Sequence, residues 1–159
     1  MKIAFISDFF LADGMTGGAE LVNDCLVGHL RARNYEVDEI HSRHALNVDL
    51  YDFFIVSNFV TMPEETKASL YDKPYMIYEH DHKYLKNRNP SVFKDFRAPA
   101  HMITDEKFYR LAKAVFCQSE IHAEVVRKNL SIRNVINAGC SLWHKEHLAI
   151  LRKHSNKEW

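Results

Sequence analysis

Two short groups of residues have the types and spacing for chemistry. The first is Thr16-Gly17-Gly18-Ala19-Glu20, a glycine pair at the mouth of a helix-patterned run. Glycine at 17 and 18 removes the Cβ atoms that would hold a bound group off the main chain. It also leaves the first helical N–H groups directed at whatever lies above the preceding strand. An anion or a sugar hydroxyl fits such a place. A tight turn into the helix would use the same pair with no ligand, and both readings stand on the sequence. The nucleotide fingerprints are missing: Gly14, Gly17 and Gly18 do not give G-x-G-x-x-G, and no Gly-Lys-Ser/Thr follows.

The second group, His80-Asp81-His82, is the densest polar cluster of the chain. A carboxylate beside two imidazoles could ligate a metal, orient a base or bind sugar hydroxyls. If a strand ran through all three, His80 and His82 would share one face and Asp81 would point away, so a dyad between neighbours requires a turn. A metal site lacks an adjacent third ligand, since His41, His44 and His101 could approach only in three dimensions, and polar ligand contact is the favoured reading. Ser119 reads as the cap of a following helix rather than as a nucleophile. No G-x-S-x-G elbow supports hydrolase chemistry.

The elements that must position these groups alternate along the chain. Ile3-Ala4-Phe5-Ile6 is a short apolar run ended by Ser7-Asp8, the pattern of a strand buried on both faces. Ten residues, Asp8 through Gly17, then lead to the helix at Gly18. Such connections usually take about 2–6, so a longer one with paired glycines suggests a binding loop. Leu21, Val22, Cys25, Leu26, His29 and Leu30 recur on one helical face, with Asn23, Asp24, Arg31 and Arg33 elsewhere. Tyr35–Ile40 alternates in polarity as an edge-side strand does, whereas Phe53–Val56 is continuously apolar and central. Pro63 opens a short helix through Leu70, Tyr75–Tyr78 is a fourth strand and Ala114–Cys117 a fifth. Ile121, His122, Val125, Val126 and Leu130 mark a helix, and Asn134–Asn137 a sixth strand. The stretch from Glu79 to His101 is too long for a plain connector and implies short helices or a lid. The expected fold is a doubly wound, mostly parallel, Rossmann-like α/β sheet of about six strands.

Ligands of such sheets bind beyond the carboxyl ends of the strands, near the point where strand order reverses. The loop of residues 8–18, Ser57-Asn58-Phe59 and Glu79–His82 should meet there, which nominates Asn58 by position and Glu20 as a helix cap or ligand contact. Phe9, Phe10 and Leu11 should edge the cleft or plug the sheet's upper end.

Composition bounds the function. With 159 residues, 47% of them hydrophobic, the chain can bury one sizeable core. Twenty-one basic residues balance twenty-one acidic ones, and without a Lys/Arg stripe nucleic acid is not the expected partner. Cys25, Cys117 and Cys140 are too few and scattered for a disulfide framework or zinc site, which suits a reducing cytoplasm. No apolar stretch reaches the ~18 residues of a membrane span.

In order along the chain, Thr16–Glu20, Tyr35-Glu36-Val37, His80-Asp81, Ala114–Ser119 and Val135–Gly139 resemble the N-terminal half of GT-B glycosyltransferases, family 4 especially. The resemblance covers Met1 to about Trp143. It implies a nucleotide-sugar-dependent transferase in which this chain supplies the acceptor-binding wall of a cleft, with Gly17 and Gly18 near the donor diphosphate. His80 would lie near the transferred sugar and, with Asp81, carry the catalytic role; Glu20, Asn58 and His82 would contact substrate. No metal or other cofactor is implied beyond the nucleotide sugar as co-substrate. The pair of spaced glutamates by which that family's second domain clamps the donor does not occur in these residues, so the donor-clamping half is expected to be absent. Residues 1–141 are accordingly expected as the acceptor-side domain, and 142–159 as a helical tail, striped by Trp143, Leu148 and Leu151, leading toward an absent second domain or partner chain. Two readings from other classes compete. A receiver domain fails because Asp8 stands without an acidic neighbour and the third strand ends in Ser57-Asn58. A non-catalytic Rossmann-like module that binds a small ligand or a protein remains the alternative.

Overall fold

A computed structural model describes residues 1–14 and 16–155. Six strands form one all-parallel sheet: β1 (Lys2–Ser7), β2 (Glu36–His41), β3 (Phe53–Val56), β4 (Tyr75–Glu79), β5 (Ala114–Cys117) and β6 (Val135–Asn137). Their order is β2-β1-β3-β4-β5-β6. The expected doubly wound, parallel α/β fold of six strands is therefore the fold of this protein. Winding runs outward from β1 to β2, then returns past β1 to β3 and continues to the far edge, so the order reverses between β1 and β3.

Side-chain alternation along the strands separates two cores. Ala4, Ile6, Phe54, Val56, Tyr75, Ile77, Val115 and Cys117 pack on the face covered by α2 (Glu64–Leu70), α3 (Glu106–Leu111) and α4 (Glu120–Leu130). Ile3, Phe5 and Ile55 pack on the other face beneath Val27, Leu26 and Leu30 of α1 (Gly18–Arg31). The central strands are apolar along their length because both faces are covered; β2 alternates because it is an edge.

The structure departs from the sequence reading at Asn23 and decides three points that the reading left open. Asn23, placed off the apolar face of α1 by periodicity, is 1% exposed, because its amide meets hydroxyls at the strand ends. The stretch after β4 contains three single-turn helices, Pro90–Val92, Lys94–Phe96 and Ala100–Met102, and then α3, whose Phe108 and Tyr109 enter the core. Phe10 is the aromatic that plugs the sheet's upper end, edge-on to Phe5 and His41, while Phe9 faces solvent. Lastly, α5 (Lys145–Ser155) buries none of its residues and exposes Leu148, Ile150 and Leu151. The expected tail helix exists but presents its apolar residues outward; its final residues, 156–159, lie outside those described.

Removing volume from the larger core should be costly. Ile77→Ala, at a fully buried position of β4, is expected to lower unfolding free energy by about 2–5 kcal/mol. Ile121→Ala, on the exposed side of α4, should change it by no more than about 0.5 kcal/mol. Urea denaturation of both variants checks the contrast.

Candidate functional site

At the carboxyl ends of β4 and β5 the chain has to satisfy polar groups that the sheet buries. β4 ends on Glu79, whose side chain is fully buried and receives the Lys83 ammonium on Oε1 at 3.0 Å and the Tyr109 hydroxyl on Oε2. Burial alone would raise the Glu79 pKa, but the Lys83 charge and the Tyr109 hydrogen bond hold it down at about 2. The same ammonium reaches Asp81 Oδ1 at 2.7 Å, and the Asp81 N–H donates back to Glu79 Oε1 at 3.1 Å. These contacts fold residues 79–83 into a turn that parts the histidine cluster.

His80 goes inward to a chain of side-chain hydrogen bonds. The Ser141 hydroxyl donates to Gln118 Oε1 at 2.6 Å, and Gln118 Nε2 lies 2.7 Å from His80 Nδ1. His80 Nε2 lies 3.0 Å from Ser57 Oγ and 3.2 Å from Asn23 Oδ1. Ser57 donates to Asn23 Oδ1 at 2.8 Å, and Asn23 Nδ2 to Ser7 Oγ at 3.3 Å. With the Gln118 and Asn23 amides oriented as they stand, Gln118 donates to an unprotonated Nδ1, and Nε2–H donates to Ser57 and Asn23. The imidazole is therefore neutral. Burial is the main cause that pushes its pKa down to about 4, with the Lys83 charge adding to it.

This chain floors a cleft of about 380 Å³. Gly18 and Ala19 of α1, Asn58, Asp81 and Gln118 line it, together with Trp143 and His144 from the segment before α5. Apart from its chain neighbours and its own helix backbone, no described atom lies within 4 Å of where a Gly18 side chain would begin, so the main chain there is open to an occupant. His144 is anchored by Asp24 of α1, Nε2 to Oδ2 at 2.8 Å. The lining supplies amide, hydroxyl and imidazole groups with an aromatic wall. Its Asp81 carboxylate is already taken by Lys83 and Arg88.

Of the residues nominated from the sequence, Gly18, Asn58, His80 and Asp81 meet at this cleft. Gly17 and Glu20 are not among the residues that line it: Gly17 stands at the N-cap of α1, and the Glu20 carboxylate folds over it where a Cβ would lie. His82 turns away with a left-handed backbone (φ 58°), its Nδ1 2.9 Å from the Tyr84 hydroxyl and its ring 4.4 Å from that of His122. Burial, then the neighbouring His122, lowers the His82 pKa to about 4. Sequence reasoning missed Gln118, Ser141, Trp143 and His144. Gln118 was detectable, because a polar residue just past a buried strand sits at the ligand edge of the sheet. No cluster of three or more metal-ligating side chains occurs among the described residues. Among those residues, too, no helix is long and apolar enough to cross a membrane.

No family model and no curated protein matches the chain. Two solved structures do. One is a flavodoxin of Streptococcus pneumonia TIGR4, 18% identical over 92% of this chain and 87% of that one, with a TM-score of 0.36. The other is a short-chain flavodoxin associated with a non-canonical PDU bacterial microcompartment, 18% identical over 96% and 90%, also with a TM-score of 0.36. Likeness this distant assigns no function. It does correct the resemblance drawn from sequence motifs, because the structures that match are flavodoxins and not GT-B glycosyltransferases. The glycosyltransferase reading is withdrawn, and with it the nucleotide-sugar co-substrate and the expectation that no cofactor is bound. The misleading motifs, Gly-Gly-Ala-Glu and His-Asp after a strand, mark helix entries and strand ends that many parallel α/β sheets share.

The neutral histidines make stability depend on pH. Folding lowers the pKa of His80 and His82 from 6.5 to about 4, so the unfolded chain binds more protons between those values. Stability should be full above pH 6.5 and fall as pH drops toward 4. Urea midpoints across that range should show the decline, and His80→Gln should make it shallower. Nitrogen-15 shifts of His80 at neutral pH should report the Nε2–H tautomer.

Proposed function

We propose that this protein is a small-ligand-binding module of Rossmann-like architecture, whose ligand lies in the cleft between the start of α1, the ends of β4 and β5, and residues 141–147. One observation carries the reading: a fully directed hydrogen-bond chain from Ser141 to Ser7 fixes His80 and Gln118 at the floor of a cleft where Gly18 leaves the main chain open. Side chains held this way form a preorganised surface, which lowers the ordering cost of binding. Both His80 ring nitrogens are engaged, so in this arrangement the residue positions neighbours and holds no free site for proton abstraction.

The ligand we infer is a compact ring compound carrying hydroxyl or amide groups. Trp143, half exposed, offers a face for stacking, and the amides of Asn58 and Gln118 offer both donors and acceptors. The cleft volume falls within the roughly 300–1,000 Å³ usual for small-molecule sites. Residues 1–141 would be the binding domain and the following segment the cleft's outer wall. Balanced charge supports a small molecule over nucleic acid, and the free thiols of Cys25 and Cys117, both buried, support a cytoplasmic setting.

Titration of the isotope-labelled protein with a panel of free nucleosides and monosaccharides tests the reading. At least one probe should shift the amides of Gly18, Ala19, Asn58 and Gln118 together. Gly18→Val should weaken that response about tenfold or more while leaving the urea midpoint nearly unchanged, since the added methyls project into open space. A Gly18→Val protein that responds as the wild type does would show that the cleft is not where the probe binds.

A further inference from the structure

The reversal of strand order between β1 and β3 makes a second place where a ligand is expected, the crevice beyond the ends of those two strands. In sheets wound in the order 2-1-3-4-5, that crevice is where flavin mononucleotide binds in flavodoxin-like proteins. Here a side chain fills it. Asp8, directly after β1, is 7% exposed. Its Oδ2 accepts the Val60 N–H at 2.9 Å, and its Oδ1 accepts the Thr61 N–H at 3.1 Å and the Thr61 hydroxyl at 2.7 Å. The Ser42 hydroxyl donates to the same oxygen from the segment after β2.

Two successive backbone N–H groups and two hydroxyls directed at the two oxygens of one carboxylate are the donor set that an oxyanion requires. All four are engaged by Asp8. A flavin's phosphate does not fit this position while the carboxylate occupies it. Burial opposes the charge on Asp8, but the Ser42 and Thr61 hydrogen bonds outweigh it and its pKa is lowered, so the carboxylate is ionised at neutral pH.

We propose that Asp8 is a built-in anion: its carboxylate occupies the oxyanion position at the β1/β3 crossover, ties the ends of β1, β2 and β3 together, and keeps external phosphates out of this crevice. The β4/β5 cleft is a separate place on the same edge, and this inference does not depend on what binds there.

Deleting the carboxylate should convert the position into an anion site. Asp8→Ala should melt below the wild type, and formate or inorganic phosphate, against chloride at matched ionic strength, should raise its melting temperature by about 2–4 °C or more while moving the wild type by less than half as much. The wild type should not quench flavin mononucleotide fluorescence. Asp8→Asn keeps the volume but loses the charge; it should also melt below the wild type and answer formate weakly, because its side chain still fills the place. Stoichiometric quenching by the wild type would overturn the proposal. So would an Asp8→Ala protein that ignores both anions. Should Asp8→Ala fail to fold, the flavin titration and Asp8→Asn decide: an Asn variant as stable as the wild type would show that no anion is needed there.

Discussion

The turn that follows β4 depends on one buried ion pair. Glu79 and Lys83 are almost completely withdrawn from water, and neither charge would survive there alone. Removing one partner of such a pair typically costs about 3–5 kcal/mol, because the other is left uncompensated. The pair persists through its further hydrogen bonds: Tyr109 from α3 and the Asp81 N–H complete the coordination of the Glu79 carboxylate. Its consequence is geometric. With residues 79 and 83 clamped, the chain leaves the sheet in a tight turn, His80 is sent to the cleft floor, and His82 is sent outward against α4.

From that fixed His80 the hydrogen-bond chain spreads across the sheet, touching residues that follow β5, β4 and β3 and ending at Ser7 of β1. Each link has a single direction, and a second proton on the imidazole would set N–H against N–H at Gln118. The arrangement is thus tied to the neutral histidine, which agrees with its lowered pKa. A base for catalysis needs a free nitrogen near the reacting proton. In the observed arrangement both His80 nitrogens are taken, and the ring links Gln118 to Ser57 and Asn23.

How much of this was legible in the residues depended on whether a feature was local. The strands were legible because parallel strands covered on both faces must be apolar throughout, and Phe53–Val56 and Ala114–Cys117 could hardly be anything else. The start of α1 at Gly18 was legible from the glycine pair. Asn23 was not, because a polar residue on a buried helical face is explained only by what lies opposite, and Ser7 and Ser57 are 16 and 34 residues away in sequence. His80 and His82 could not be told apart for a similar reason: the Glu79–Lys83 pair that makes the turn between them is stable in the core only with the Tyr109 hydroxyl, thirty residues downstream of Glu79, on the second carboxylate oxygen. The motif resemblance failed because its elements recur wherever a strand feeds a helix. Which strands become neighbours is decided by pairing across the sheet, and no short motif encodes it.

The carboxyl edge of the sheet meets one physical demand in two ways. Every parallel sheet leaves main-chain and side-chain donors converging beyond its strand ends, and these have to be satisfied or filled. At β1 and β3 the chain satisfies them internally: Asp8 takes four donors, and the crevice becomes a structural joint. Beyond β4 and β5 the buried Glu79–Lys83 pair sets the turn, and two neutral groups, His80 and Gln118, are held at the floor of an open cleft while space remains above them. A charged, fully engaged carboxylate leaves no capacity for a ligand, whereas hydroxyls and amides retain spare lone pairs and protons. On that chemical difference rests the division of the edge into a closed half that stabilises and an open half that can bind.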